Sequence, residues 1–230
     1  MIKLNKQPEP DVLVQNKSKW TSELMSYIYA KRDIPENIKN KYNHPDIKSV
    51  LRTETNGGKC MYCESPIAVV APDHIEHYRP KKIYPQLTFD WNNLGLSCPK
   101  CNMNKRDVFD EDYPFINPYT DLPNDHFVFL GTMMVHNPNN KRAKITELQL
   151  DLNRPELMEA RKERIDMIRL LIDQYEEESN PTVKDIIKKN IDKETAENTP
   201  YSMFTKIAVE MILSKKPTMP NVPIEITKQK

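Results

Sequence analysis

Apolar positions along this chain recur mostly at helical spacing. Trp20, Leu24 and Ile28 fall on one face of an amphipathic helix predicted over residues 18–32. Ile47, Val50 and Leu51 do the same over 46–54, and Asn56-Gly57-Gly58 closes that helix with a turn signal. Far downstream, Leu157, Ile165, Ile168, Leu171, Ile172 and Tyr175 trace a longer helix. Its start is read from Asn153 and Glu156, a capping-box arrangement with Pro155 in the first turn. Asn180-Pro181 and Thr199-Pro200 mark two further helix starts, the last leading into the stripe Phe204, Ile207, Ala208, Met211 and Ile212. The pattern changes in two places. Residues 127–130 and 133–136 flank Gly131-Thr132 as a two-residue hairpin. Residues 1–16, with Pro8 and Pro10, show little period and read as an extended arm, 113–118 reads as an ordered loop, and the tail from Pro217 is expected to fray. No internal repeat is present. The fold class this predicts is α+β, mainly helical.

Composition narrows the setting. The chain has 230 residues, 38% hydrophobic and 29% charged, with a mean hydropathy of −0.72. That length holds one elaborated domain or two small ones. No stretch approaches the roughly 18 consecutive apolar residues of a membrane span. Met1-Ile2-Lys3-Leu4-Asn5-Lys6 lacks the apolar run of a signal peptide, so no membrane association and a cytoplasmic location are expected. The net charge of +1 excludes a bulk polycation, and any nucleic-acid contact must come from a local patch.

The four cysteines change the picture more. All lie between residues 60 and 101, as Cys60-Met61-Tyr62-Cys63 and Cys98-Pro99-Lys100-Cys101. A two-residue gap lets both thiolates of each pair reach one ion at about 2.3 Å, and two such pairs complete a tetrahedron. Four thiolates leave no open coordination position, so the ion expected is a structural zinc. Such a site is worth roughly 10–16 kcal/mol of folding energy to a segment with little apolar core. A redox pair would need a neighbouring βαβ pattern, which is absent.

The pairs stand further apart than the roughly 15–20 residues of compact zinc ribbons, which leaves the intervening segment room for chemistry. It contains Asp73-His74-Ile75-Glu76-His77-Tyr78-Arg79-Pro80-Lys81 and Asp90-Trp91-Asn92-Asn93-Leu94, and the second pair runs into Asn102-Met103-Asn104-Lys105-Arg106. Hydrolysis of a phosphodiester needs a base for water, a metal for the phosphate and ligands to hold it, and His, Glu and Asn are suitable types. Taken singly, each has a duller role as a surface ion pair, a turn residue or a cap. The conjunction within one zinc-closed loop carries the weight.

These motifs resemble the HNH (ββα-metal) nuclease family: two C-x₂-C pairs, an acidic-His pair with proline three residues after the His, Asn-Leu before the second pair, and Cys-Asn-x₂-Lys. Further segments are similar to PtuB, the HNH subunit family of Septu-type and retron-associated anti-phage defence systems. They are 59–65, 75–81, 90–94 and Leu152-Asn153-Arg154-Pro155-Glu156-Leu157. The likeness begins near Met1 and fades after about residue 164.

The resemblance implies a zinc-stapled ββα-metal core flanked by N-terminal and C-terminal helices. The divisions expected are an arm and helices over 1–58, the zinc-bound nuclease core over 59–110, a loop and hairpin over 111–153, and a helical region over 154–230. It also implies residue roles. His77 matches the general base and Asn93 the Asn that organises the loop and orients the base. Glu76 and Asn102 match ligands of a catalytic Mg²⁺ or Mn²⁺, while Cys60, Cys63, Cys98 and Cys101 hold the structural zinc. Glu76-His77 is preferred to Asp73-His74 because Pro80 then sits where the motif expects it; the other pair would move the metal ligands with it.

Residues 59–106 carry seven basic side chains against four acidic ones. Arg79, Lys81, Lys82 and Lys105 are the candidate nucleic-acid contacts, with DNA preferred to RNA as target. Septu kinship implies an SMC/ABC-like ATPase partner, PtuA. No G-x-x-x-x-G-K-[ST] loop occurs in the chain, so ATP dependence would come from that partner. A stand-alone HNH restriction-type endonuclease and a zinc-stabilised binding module without catalysis are the alternatives.

Overall fold

Pro10 fixes the chain's entry into the first helix, α1 (Asp11–Tyr29), and Asp11 places a carboxylate in its first turn. In this computed structural model, which describes residues 1–67 and 74–214, that start lies seven residues before the expected one. Leu13 is the reason: it is buried along with Leu24, so the apolar face begins about two turns before Trp20. Pro35 opens the single turn α2 (Glu36–Lys39), and His44 caps α3 (Pro45–Glu54) by accepting from the Asp46 amide through Nδ1. The turn after α3 is built as expected, with Asn56, Gly57 and Gly58 all at positive φ.

The arm expected over residues 1–16 is non-helical only over 1–10, and it packs inward. Met1, Ile2 and Leu4 are buried in the main core. The Met1 ammonium lies 2.7 Å from Glu64. Glu54, at the end of α3, receives Lys6 Nζ and the Gln7 amide, and Lys6 also donates to the Leu94 carbonyl.

The centre is two short strands and a helix. β1 (His74–His77) pairs antiparallel with β2 (Leu94–Ser97), His77 opposite Leu94 and Glu76 opposite Gly95, and α4 (Pro99–Lys105) follows directly. After the turn α5 (Pro123–His126) comes the expected hairpin, β3 (Phe127–Leu130) and β4 (Met133–His136), with Gly131 at φ 57 in its turn.

An unforeseen helix, α6 (Lys141–Gln149), is capped by Asn140 and buries Ala143 and Thr146. The long helix α7 (Pro155–Glu177) starts at Pro155 as expected, but Asn153 does not cap it. Its side chain instead bridges β4, accepting from the Met134 amide and donating to the Met134 carbonyl. Asn180 does cap α8 (Pro181–Glu194), through the amides of Thr182 and Val183. The last helix, α9 (Ser202–Leu213), begins after a left-handed Tyr201, two residues beyond the expected Pro200. α7 packs on both α8 and α9.

One main core runs from the arm through the cysteines and both hairpins to Phe204, and Ile168, Ile172 and Ile191 make a satellite cluster between the last helices. Full burial of such side chains contributes about 1.5–3 kcal/mol each. The fold is mainly helical α+β. No helix among the described residues is long and apolar enough to cross a membrane. The tail from residue 217 lies outside the described residues, as does Asp73.

Candidate metal centre and active site

The first cysteine pair sits in a tight loop closed by an isolated bridge between Lys59 and Pro66. The Cys60 amide donates to the Ser65 carbonyl, and the Glu64 amide returns to the Cys60 carbonyl with Glu64 at φ 62. The Met61 amide donates to the Leu96 carbonyl, which fastens this loop to β2. The second pair opens α4: Cys98 is its N-cap, its sulfur accepting from the Cys101 amide. All four sulfurs lie within 4.8 Å of one another, and all four residues are buried and free of disulfides. Cys63 and Cys98 have sulfurs 3.7 Å apart. Ligands at about 2.3 Å on a regular tetrahedron stand about 3.8 Å apart, so the cluster fits one four-coordinate thiophilic ion.

Beside it, alternation along β1 puts His74 and Glu76 on one face and Ile75 and His77 on the other. The connection 78–93 is gathered by Asn93. Its Oδ1 accepts from the Arg79 amide at 2.7 Å, and its Nδ2 donates to the carbonyls of Arg79 and Leu87 at 3.0 and 3.1 Å. That gathering brings the Thr88 carbonyl to 3.0 Å from His77 Nε2. A carbonyl oxygen only accepts, so Nε2 carries the hydrogen and Nδ1 is the basic nitrogen. The Tyr42 ring meets the imidazole edge-on at 4.6 Å. Burial, reinforced by the Lys81 charge, pushes His77 down to about 3, so the ring is neutral across the physiological range.

Lys105 lies beneath β1, 1% exposed, with Nζ 2.7 Å from Glu76 Oε1 and donating to the His77 carbonyl at 2.9 Å. Burial raises the Glu76 carboxyl above its ordinary range, against the pull of Lys105.

These groups open onto a cleft of about 390 Å³. His74, Glu76, His77, Pro80, Lys81 and Asn102 line it, with Tyr42, Asn43, Lys48, Arg106 and Asp107 around them. Asn102, on α4, has its amide nitrogen 3.5 Å from His74 Nδ1. The oxygen-bearing side chains of Glu76 and Asn102 suit a hard divalent cation.

The cleft thus brings together His77, Glu76 and Asn102, while Asn93 stands behind them as the brace of the loop. His74, set aside in the sequence, also lines it. The four candidate nucleic-acid residues do not share one placement. Lys81 lines the cleft and donates to Tyr42 Oη, and exposed Lys82 lies 3.4 Å from Asp107. Arg79 is held by Glu111 and lies over the rings of Tyr84 and Phe109. Lys105, expected on the surface, is instead inside, committed to Glu76. Sequence reasoning missed Tyr42, Lys48 and Thr88. Only their position three-dimensionally beside His77 marks them, and no local spacing could have.

Residues 60–107 match a family described as HNH endonuclease. Over 127 residues the chain is 32% identical to the Septu protein PtuB of Bacillus thuringiensis, a match covering 55% of this chain and 45% of that protein. Over 195 residues it is 29% identical to the Septu protein PtuB of Bacillus mycoides (strain KBAB4), covering 70% of this chain and 66% of that one. The chain spans about half to two-thirds of the length of the curated relatives it matches.

Proposed function

We propose that this chain, which carries an HNH endonuclease domain and is homologous to the Septu protein PtuB, is a nuclease that hydrolyses phosphodiester bonds at the cleft between β1 and α4. The observation that carries the reading is the bond from His77 Nε2 to the Thr88 carbonyl. It fixes the tautomer of a neutral imidazole whose remaining nitrogen can only accept a proton. His77 acts as general base, taking the proton of an attacking water at Nδ1, and the Thr88 carbonyl steadies the imidazolium that forms. Asn93 holds the loop so that this carbonyl stays in place. Glu76 and Asn102 hold a Mg²⁺ or Mn²⁺, which supplies neutralisation of the phosphate and of the leaving oxygen. Lys105 favours the ionised form of Glu76 and ties its strand to α4. Lys81, with Lys48 and Arg106, meets the phosphates of the bound strand.

The four cysteines hold a structural zinc that joins the two ends of this unit. The Septu kinship supports a further reading: a cytoplasmic effector of an anti-phage defence complex, acting on DNA and governed by the ATPase subunit PtuA.

The test is Mg²⁺- and Mn²⁺-dependent cleavage of DNA and RNA by wild type and His77→Ala, each alone and with the co-purified ATPase. The variant should keep its zinc and lose cleavage by about 100-fold or more. Near wild-type cleavage by folded His77→Ala would refute the base assignment. Cleavage that needs the ATPase supports the defence complex, whereas equal cleavage without it supports a free-standing enzyme.

A further inference from the structure

The segment Leu152-Asn153-Arg154-Pro155-Glu156-Leu157 has no part in the cleft, yet it sends a charge into the metal centre. Arg154 is the residue just before α7 and is 7% exposed. Its Nη1 lies 3.9 Å from Cys101 Sγ, and its Nη2 lies 3.9 Å from Cys63 Sγ and 4.0 Å from Cys98 Sγ. One further bond, from Nη1 to the Asp151 carbonyl at 3.0 Å, fixes the fork in that direction.

Two turns along the same helix, Arg161 is fully buried. It donates through Nη1 to the Thr132 carbonyl and covers the Phe204 ring at 4.2 Å, while Nε and Nη2 have no hydrogen-bond partner. Burial pushes its guanidinium down to about 10, against the pull of Cys63, Glu64 and Tyr201. Glu64 is already answered by the Met1 ammonium at 2.7 Å and Lys59 at 3.7 Å. Among the described residues, neither arginine forms an ion pair with a carboxylate.

Two buried guanidiniums without a carboxylate are costly unless an anion compensates them. Four neutral thiols do not. Four thiolates around one divalent ion carry a net charge of about −2, which matches two guanidiniums. We propose that Arg154 is the counter-cation of the tetrathiolate centre, with Arg161 adding a buried, carboxylate-free charge two turns along the same helix, so that loading the metal and docking the C-terminal helices onto the nuclease core are a single event. Arg154 is a positioning residue: it acts through the thiolates and touches neither the cleft nor a substrate. The proposal rests on the zinc reading above and goes beyond it by assigning the metal's charge to the placement of α7.

The experiment compares full-length wild type, Arg154→Met, Arg154→Lys and Arg161→Met. Bound zinc is measured per chain, then its transfer rate to a chromophoric chelator, then amide hydrogen exchange before and after chelation. Wild type should hold one zinc. Arg154→Met should release it about 10- to 100-fold faster, the range expected for loss of a group behind the ligands. Arg161→Met should move the same way by less, and Arg154→Lys should recover part of the loss. Chelating wild type should raise exchange across α7 and α9 as well as around the cysteines.

A folded Arg154→Met variant with the wild-type release rate would overturn the proposal. So would chelated wild type in which exchange rises at the cysteines but not in α7 and α9, a result that needs no variant to fold. Wild type without zinc would fail the zinc reading itself, which separates that failure from the failure of the counter-cation assignment.

Discussion

Two antiparallel hairpins with four-residue strands occur among the described residues, and they are closed by different means. β3 and β4 are joined by Gly131-Thr132, so proximity in sequence does most of the closing. β1 and β2 are separated by the long connection 78–93, and side chains do the closing there. Asn93 gathers the connection, His77 catches the Thr88 carbonyl, and Lys105 grips the end of β1 from α4. The cysteine loop is pinned to β2 from the other side. A turn closes a hairpin and does nothing else. Side chains that close a hairpin can also orient reactive groups, so in the first hairpin structural and chemical damage should coincide, and in the second they should separate.

The largest expected effect is that of Cys98→Ser. A tetrathiolate site contributes on the order of 10 kcal/mol to folding, so soluble yield and bound metal should fall together. By hydrogen exchange, β1 and β2 should lose far more protection than β3 and β4; equal loss in both hairpins would erase the distinction, and a well-folded metal-free variant would refute the structural role of the metal.

Next comes Asn93→Ala. It strands part-buried backbone groups of Arg79 and Leu87, a cost of about 1–3 kcal/mol, and it displaces the Thr88 carbonyl from His77. Thermal unfolding should shift down and cleavage should fall about 100-fold. Lowered stability with full cleavage would show that the gathered loop does not orient the base.

The smallest effect belongs to the short hairpin. Gly131 sits at φ 57 with nothing within 4 Å of an added Cβ, so Gly131→Ala meets backbone strain alone. That costs about 1 kcal/mol, or about 3 °C in midpoint, and cleavage should stay at the wild-type rate. A cleavage defect in Gly131→Ala would mean that the two hairpins are coupled.

Legibility in the sequence followed the same divide. Gly131-Thr132 announced the short hairpin because its turn chemistry is local. The first hairpin has no period worth reading in β1 and β2; it was accessible only through the chemical types His, Asn and Cys that its motif carries. The helix at residues 141–149 escaped because its buried positions, Ala143 and Thr146, are one small and one polar residue and make no apolar stripe. The inward packing of the arm was not legible because Met1, Ile2 and Leu4 have no regular spacing, and Glu54, far along the chain, draws its Lys6 and Gln7 inward. Asn153 has the sequence of a helix cap, but β4 competes for its amide and wins. Within the candidate site, the resemblance to the HNH motif pointed to His77, Glu76, Asn93 and Asn102, where residue types alone left them open. The inward turn of Lys105 and the reach of Arg154 depend on packing between distant segments, which spacing does not encode.

The anchoring of Lys59 bears on how this chain can be taken apart. Immediately before the first cysteine, its ammonium donates to the carbonyls of Glu197 and Thr199, in the segment leading to α9. The stretch by which the family is recognised begins one residue later, at 60, and ends at 107. A fragment trimmed to those limits would lose the last helices that hold its first knuckle and the arm that fills its core. Homology therefore marks out a unit of ancestry here, not a portable cassette. Fusions and minimal versions of this protein should keep the chain whole and be joined at surface turns such as Asn139, which is exposed and left-handed.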